Sequence, residues 1–254
     1  KTFAYKIVEN GGGRGGYTYD STYWKVEIAV KKRDNGSLYT VTTVKHYDAN
    51  DVEEPRDANT FSSEDGTAKA QVSFTNSYSA VGTFDGLAAE KVMDSGDKIE
   101  ADQYTFDLYA EKADGSLEKK DEGTTQAGEN GTATVDFGKV YFKLGDATSG
   151  TDGQTIDLAS AVNDGIAIKR HNADHTTTYS FNLVAKERLA NLPAGVRPVD
   201  TSATCRVLLE VTDNNNGKLT SKVTYRNGTE NGKIVFHNTR DKVKTIGTVA
   251  KPDV

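Results

Sequence analysis

The chain has 254 residues, of which 35% are hydrophobic, and a formal net charge of −6. A length of this order accommodates two domains with buried cores. The acidic balance, without a lysine- or arginine-rich stripe, excludes nucleic acid as an expected partner. No run of 18 apolar residues occurs, so no membrane contact is expected within this segment. Gly, Thr, Asp and Asn recur between short β-branched and aromatic runs, which is typical of an all-β protein with many turns.

Two stretches of the chain share an order of predicted strands, and such internal repetition indicates a modular array. In the first stretch the predicted strands are residues 2–9, 23–32, 38–47 and 68–78. In the second they are residues 179–187, 204–213, 219–226 and 232–240. Each set is expected to form four antiparallel strands that end in Phe-x-Asn.

The second stretch also has predicted strands upstream, at residues 86–93, 103–112 and 132–144, and a short apolar run at 156–158. Seven or eight short strands suit a sandwich. Helical spacing within residues 156–168, with Asp157 near its start, predicts a short helix. The fold is therefore predicted to be a tandem of immunoglobulin-like (CnaB-like) β-sandwiches.

The predicted domains are a partial, N-terminally truncated sandwich at residues 1–79, a complete one at 82–241, and a linker or opening strand of a following domain at 242–254. The chain has no signal peptide, initiator Met or wall-anchoring tail, and is expected to be a piece of a longer protein.

Several local motifs are interpreted as loops and not as ligand sites. Residues 11–16 satisfy G-x-G-x-x-G, but a strand follows where that fingerprint needs a helix. His171 and His175 lie in a polar stretch without helical backing, and residues 213–217 lack the spacing of a calcium loop. The single cysteine, Cys205, is expected to be a buried hydrophobe. No cofactor and no metal are predicted.

One constellation of polar residues recurs in both stretches. Glu187 closes a predicted strand, Asn238 lies near the end of the last strand, and Lys91 lies near the start of the domain. Glu9 and Asn76 occupy the corresponding places in the first stretch. Taken alone, this spacing fits ordinary polar residues at strand ends as well as a reactive group, and the repetition favours the reactive group.

These residues lie in segments that resemble a known pattern. It runs through 179–187 (YSFNLVAKE), 211–214 (VTDN) and 236–240 (FHNTR), and in the first stretch through 3–9 (FAYKIVE), 19–22 (YDST) and 74–78 (FTNSY). The pattern resembles the pilin isopeptide-linkage domains of Gram-positive bacteria, the family of streptococcal backbone pilins and related adhesin stalks. Arg240 stands where that family has an aromatic residue.

The resemblance implies a Lys–Asn isopeptide bond. Glu187 would polarise the Asn238 amide and move protons while Lys91 attacks it, and Glu9 and Asn76 would be the matching catalytic and acceptor residues. Lys98 is the other candidate lysine, but Lys91 follows Leu87 and Ala89 at period two and so shares their face. Burial among aromatic side chains favours the neutral forms of an amine and a carboxylic acid.

The predicted function is a structural stalk or pilus subunit of an extracellular, cell-wall-anchored surface protein, whose partners are neighbouring domains. It is not expected to be an enzyme, because each cross-link forms once. The alternative is an adhesin module that binds a host glycan or matrix protein through residues 48–65, where Phe61 is the one aromatic residue. A glycoside hydrolase is disfavoured because no second acid accompanies either glutamate. Lys251 is a conceivable donor for Asn76 of a neighbouring molecule.

Overall fold

The computed structural model describes residues 1–65, 71–199, 204–227 and 229–241. The chain divides into two compact units, Lys1–Ser79 and Ala80–Val254. Strands are the main regular structure in both, with 56% of residues in strands and 5% in helices, so the predicted all-β sandwich fold is confirmed. Residues 242–254, with Lys251, lie outside the described part of the chain.

The first unit is built on one antiparallel sheet with the strand order β1-β3-β4-β5. A separate two-stranded ribbon pairs β2 with β6. A short 3-10 turn at Ser63–Asp65 follows β5. The strands are β1 (Thr2–Val8), β2 (Tyr17–Thr18), β3 (Tyr23–Lys32), β4 (Leu38–Tyr47), β5 (Glu53–Ser62) and β6 (Ser77–Tyr78).

The structure differs from the sequence prediction for this unit in two places. Residues 48–65, where no strand was predicted, contain a regular strand, β5, and its Phe61 is half-buried where it pairs with Thr42 of β4. The strand predicted at 68–78 is reduced, within the described residues, to the two residues of β6. Residues 71–76, which include Asn76, therefore approach the sheet without strand pairing.

The second unit contains fourteen strands within its described residues. They are β7 (Ala80–Phe84), β8 (Ala89–Met93), β9 (Thr105–Glu111), β10 (Leu117–Thr125), β11 (Thr132–Asp136), β12 (Val140–Leu144), β13 (Gln154–Asp157), β14 (Ile168–His171), β15 (Thr177–Glu187), β16 (Val196–Pro198), β17 (Thr204–Asp213), β18 (Leu219–Tyr225), β19 (Thr229–Glu230) and β20 (Lys233–Arg240). A helix, α1 (Leu158–Asn163), begins where the Asp157 side chain accepts a hydrogen bond from Ser160 N at 2.9 Å. The short helix predicted within 156–168 is thus present.

The main sheet of this unit has the order β16-β20-β8-β11-β10-β9-β15-β17-β18, with β14 beside β15 and β19 beside β20. Its β10 and β11 strands pair through two residues only, Thr124 with Asp136 and Thr125 with Val135. This short corner lets β8 and β20 face β9 and β15 across the interior. β15, β17 and β18 are antiparallel neighbours as predicted, but β20 pairs with none of them and runs parallel to β8, so the predicted set of four antiparallel strands is not formed.

Alternation of side chains along these strands fills the interior of the second unit. In β8, β9 and β20, every second residue is buried, as expected of strands with one face against a core. A small sheet of β13, β12 and β7 packs against the main sheet through Phe142 and Phe181, whose rings lie 5.8 Å apart. Cys205 is buried in β17, as predicted. None of the helices in the described ranges has the length and apolarity needed to cross a bilayer.

Candidate functional site

Among the described residues of the second unit, one charged side chain is completely buried, Lys91 of β8. Ala89 and Met93, two residues before and after it, are also buried, so the period of the strand directs Lys91 into the core. The neighbouring strand β20 places Phe236 opposite Lys91 and Asn238 opposite Met93. Lys91 and Asn238 therefore share one face of two adjacent parallel strands.

Glu187, the last residue of β15, reaches the same place from the facing side of the interior. One of its oxygens, Oε1, lies 2.8 Å from Lys91 Nζ and accepts a hydrogen bond from Asn238 Nδ2 at 2.9 Å. A single carboxylate oxygen thus contacts both the amine and the amide nitrogen. The structure brings together the three residues that the sequence placed at separate strand ends.

Aromatic side chains enclose these three polar residues. Lys91 Nζ lies 4.9 Å from the ring centroid of Tyr104, whose hydroxyl contacts the sulfur of Met93. The rings of Phe106 and Phe236 pack 4.6 Å apart. The backbone of Asn238 is held by a hydrogen bond from Asp94 N to its carbonyl oxygen at 2.9 Å. The enclosure excludes water and fixes the amide in position.

Burial determines the electrostatics of the site. Loss of hydration lowers the pKa of the Lys91 amine from 10.5 to about 8, although the Glu187 carboxylate opposes that shift. Desolvation also raises the pKa of the Tyr104 hydroxyl. Two buried atoms, Glu187 Oε2 and Asn238 Oδ1, have no hydrogen-bond partner. Burying a polar atom without a hydrogen-bond partner lowers the stability of the fold, and such atoms in a native structure call for an explanation, of which a reactive role is one.

The other candidate lysine, Lys98, lies elsewhere. Its side chain is 53% exposed and its amine forms loose ion pairs with Glu100 and Glu129 at 3.4 and 3.6 Å. A solvated, ion-paired ammonium remains protonated and is a poor nucleophile. Among the two lysines considered, Lys91 alone contacts Glu187.

The first unit contains the same glutamate and asparagine in the same mutual pose. Asn76 Nδ2 donates to Glu9 Oε1 at 2.7 Å. Here the pair is not enclosed, since Asn76 is exposed and Glu9 is half-buried. Among the described residues, no lysine forms an ion pair with Glu9.

Sequence reasoning assigned no role to two residues that shape these sites. The backbone N–H of Asp20 donates to Asn76 Oδ1 at 2.8 Å and to Glu9 Oε2 at 3.2 Å, so it links the pair in the first unit. Tyr104 covers the Lys91 amine in the second unit. Asp20 and Tyr104 both stand in segments noted for their pattern, but only the folded contacts reveal what they do.

The two histidines of the polar stretch lie apart from any candidate metal site. His171 lies in β14, where its Nδ1 is 3.1 Å from the Thr177 hydroxyl, and His175 occupies a turn with a positive φ of 66°. Across the described ranges, no three His, Cys, Asp or Glu side chains form a group that could hold a metal ion.

The chemistry available at Lys91, Glu187 and Asn238 is acyl transfer from an amide to an amine. The arrangement supplies a buried nucleophile with a lowered pKa, an acid–base group between nucleophile and leaving group, and proximity provided by folding.

Comparison with protein families gives a match over both units. The FctA family, described as the Spy0128-like isopeptide containing domain, matches residues 1–79 and 87–241. Among curated proteins, no significant match was found.

Proposed function

Because the chain belongs to the Spy0128-like isopeptide-containing family, we propose that it is a structural subunit of a bacterial surface stalk or pilus that cross-links itself. In this proposal the second unit forms an amide bond between Lys91 Nζ and Asn238 Cγ. The observation that carries it is the contact of Glu187 Oε1 with both Lys91 Nζ and Asn238 Nδ2, at 2.8 and 2.9 Å. In this proposal the subunit acts outside a Gram-positive cell, as part of a protein that is anchored to the cell wall.

The reaction begins with the transfer of a proton from the Lys91 ammonium to Glu187. The neutral amine then attacks Asn238 Cγ, and a C–N bond forms as the carbonyl π electrons move to Oδ1. Glu187 passes its proton to Nδ2, the carbonyl re-forms as the electrons on Oδ1 return, and the Cγ–Nδ2 bond breaks to release ammonia. Glu187 then takes the extra proton from the newly bonded Nζ and gives it to the ammonia, which departs as ammonium. Glu187 ends unchanged, while Lys91 and Asn238 are consumed, so each molecule reacts once.

Burial makes this attack feasible near neutral pH. With a pKa of about 8, the Lys91 amine is neutral in roughly a tenth of folded molecules at pH 7, against well under a thousandth for a lysine of ordinary pKa. Folding holds the reacting groups together, which replaces a slow encounter by an intramolecular step. The reaction also removes the buried charge of Lys91, which is a cost to the unreacted fold.

The product suits a protein under tension. The bond would join β8, near the start of the second unit, to β20, its last described strand. By the loop-entropy estimate, closing the chain between residues 91 and 238 stabilises the fold by about 5 kcal/mol. Pulling force would then pass between the two strands covalently and not through their hydrogen bonds.

Intact-mass spectrometry of the purified chain tests the proposal. We expect a mass lower than that of the sequence by one ammonia, and a branched peptide joining Lys91 to Asn238 in a digest. Glu187→Ala and the near-isosteric Glu187→Gln should each restore the full mass and keep the β circular-dichroism spectrum. Glu129→Ala, at a surface position, is the matched control and should keep the deficit. A wild-type mass equal to the plain sequence refutes the cross-link, and a deficit that survives in Glu187→Gln refutes the role of Glu187.

A further inference from the structure

A cavity lies between the main sheet of the second unit and the layer formed by its small sheet and helix. Its volume is about 210 Å³, and it opens to solvent on one side. The main sheet lines it with Leu108 of β9 and Leu183 of β15, and the opposite layer with Phe142 of β12 and Ala161 of α1. All four side chains are buried. An apolar cavity of about 150 Å³ already takes a benzene molecule, so this cavity has room for one ring with a short chain.

One carboxylate stands among these apolar groups, that of Asp121 in β10. Gly123 and Thr125 of the same strand are buried, and Asp121 continues their period of two, which places its side chain on the interior face. The register of β9 and β10 shifts at Lys120, and Asp121 then pairs with the cavity-lining Leu108. Such β-bulges are frequent beside functional sites.

Asp121 forms no ion pair with any lysine or arginine in the described ranges. Its Oδ1 accepts one hydrogen bond, from the backbone N–H of Glu122 at 2.8 Å. The two lysines that precede it are engaged elsewhere, since Lys120 pairs with Glu118 and Lys119 pairs with both Asp107 and Glu122. The carboxylate at the cavity therefore has no direct cationic partner.

The surroundings of Asp121 disfavour its negative charge. Desolvation is the largest cause and raises the pKa of the carboxyl above its ordinary value of 3.8. The carboxylates of Asp136 and Glu122 add to the shift, while the Glu122 N–H and the charge of Lys119 oppose it. A cation placed in the cavity would stabilise this charge more than a cation in open water, because screening is weaker there.

These properties select one class of ligand. An anion would be repelled by Asp121, and a neutral apolar molecule would fill the space but leave the carboxylate without a cation. A metal ion is poorly served, since the described residues contain no group of three His, Cys, Asp or Glu that could hold one. An organic cation with an apolar body satisfies both the lining and the charge.

We propose that the cavity binds a protonated primary amine that carries one aromatic ring, with the ring between the two layers and the ammonium against the Asp121 carboxylate. Burial of the ring provides the apolar contact, and the charge-assisted hydrogen bond provides selectivity for the cation. Lys91, Glu187 and Asn238 do not line the cavity. The inference therefore goes beyond the proposed cross-link and does not depend on it.

Phenethylamine, which is a cation at neutral pH, is the probe. Phenethyl alcohol and phenylpropanoate are its neutral and anionic analogues of similar size. Titration of each into the intact chain, followed by saturation-transfer NMR, measures the dissociation constants. We expect a dissociation constant of about 1 mM for the amine, at least about tenfold lower than that of the alcohol, and the weakest binding for the anion.

Three variants locate the site. Asp121→Asn keeps the shape of the side chain but removes its charge, and should weaken amine binding about tenfold, to the level of the alcohol, without changing alcohol binding. Ala161→Leu extends a side chain from α1 into the cavity and should abolish binding of both probes. Glu129→Gln is the matched control, since its side chain is 72% exposed and lies outside the cavity, and should change neither affinity.

Several outcomes would overturn the proposal. One is a preference for the amine that persists in Asp121→Asn, because the carboxylate would then play no part. Others are equal affinities for the three probes, or no saturation transfer from the amine at about ten times the expected dissociation constant. Circular dichroism reports whether Ala161→Leu is folded, and unchanged binding to the folded variant places the probe elsewhere. If that variant does not fold, the near-isosteric Asp121→Asn decides.

Discussion

The two units carry the same glutamate–asparagine pair in two different environments. In the second unit the pair is buried, lies against Lys91 and is enclosed by Tyr104 and Phe236. In the first unit Glu9 and Asn76 are not enclosed, and the backbone N–H of Asp20 donates a hydrogen bond to the Asn76 carbonyl oxygen. The comparison shows that the pair by itself does not define a reaction, because the burial that lowers the lysine pKa comes from the surrounding strands.

The largest expected effect follows from removing the lysine that distinguishes the units. Lys91→Met retains an unbranched side chain of similar length but cannot form the bond. We expect the second unit to lose about 5 kcal/mol of unfolding free energy, the entropic contribution of the closed loop. Urea unfolding followed by circular dichroism measures the loss.

Lys98→Met is the matched control, since it removes an exposed lysine and should change the free energy of unfolding by less than about 0.5 kcal/mol. In the wild type, the Trp24 fluorescence transition of the first unit should occur at lower urea than the circular-dichroism transition of the second. Equal unfolding free energies of Lys91→Met and the wild type would contradict a stabilising Lys91–Asn238 bond in the second unit.

A smaller effect is expected from pH, in a chain that keeps Lys91 but cannot react. Asn238→Ala is such a variant, and neither main cause of the Lys91 shift, burial or Glu187, involves the asparagine. The folded pKa of about 8 lies below the unfolded value of 10.5, so the unfolded state binds more protons between these values. The unfolding free energy should therefore rise from pH 8 to 10.5, by up to about 3 kcal/mol, and be lower and flat with respect to this group below pH 8.

Circular dichroism in urea at several pH values measures this slope. The double variant Lys91→Met/Asn238→Ala shows how the unfolding free energy depends on pH through tyrosines and other groups. The difference in unfolding free energy between the two variants then gives the contribution of Lys91. If the difference does not change between pH 8 and 10.5, the amine is not held in a desolvated site.

The smallest expected effect concerns the first unit. Asp20→Ala removes the carboxylate that accepts from Thr75 N and Thr22 N, and so loosens the loop that positions Asn76. Losing these bonds should lower the unfolding free energy of this unit by about 1 to 2 kcal/mol. Trp24 fluorescence in urea is the measurement, because the indole contacts Ser73 of the same segment.

Asp34→Ala, at an exposed turn of the same unit, is the matched substitution. It should leave the midpoint of the Trp24 transition unchanged. An equal shift for both variants would mean that Asp20 contributes charge only and does not organise the Glu9–Asn76 pair.

Much of this molecule follows from local sequence pattern. Alternation of apolar and polar residues predicts β17 at the bounds that the structure has and β15, β18 and β20 within two residues, since a half-buried strand imposes a period of two. The same period selects Lys91 over Lys98, because Leu87 and Ala89 share its face. The all-β class and the membership of the pilin isopeptide family were likewise accessible from the sequence, through motifs distributed over both units.

The tertiary structure decided what no local pattern contains. Whether residues 71–76 pair, and whether β20 runs parallel to β8, depends on which strands meet, and side-chain periodicity is the same in either case. The meeting of Glu187 Oε1 with two nitrogens depends on the corner between β10 and β11, which folds the sheet across its own interior. The donor on Asn76 is a backbone N–H, a group that every residue except proline carries, so the sequence could not single out Asp20.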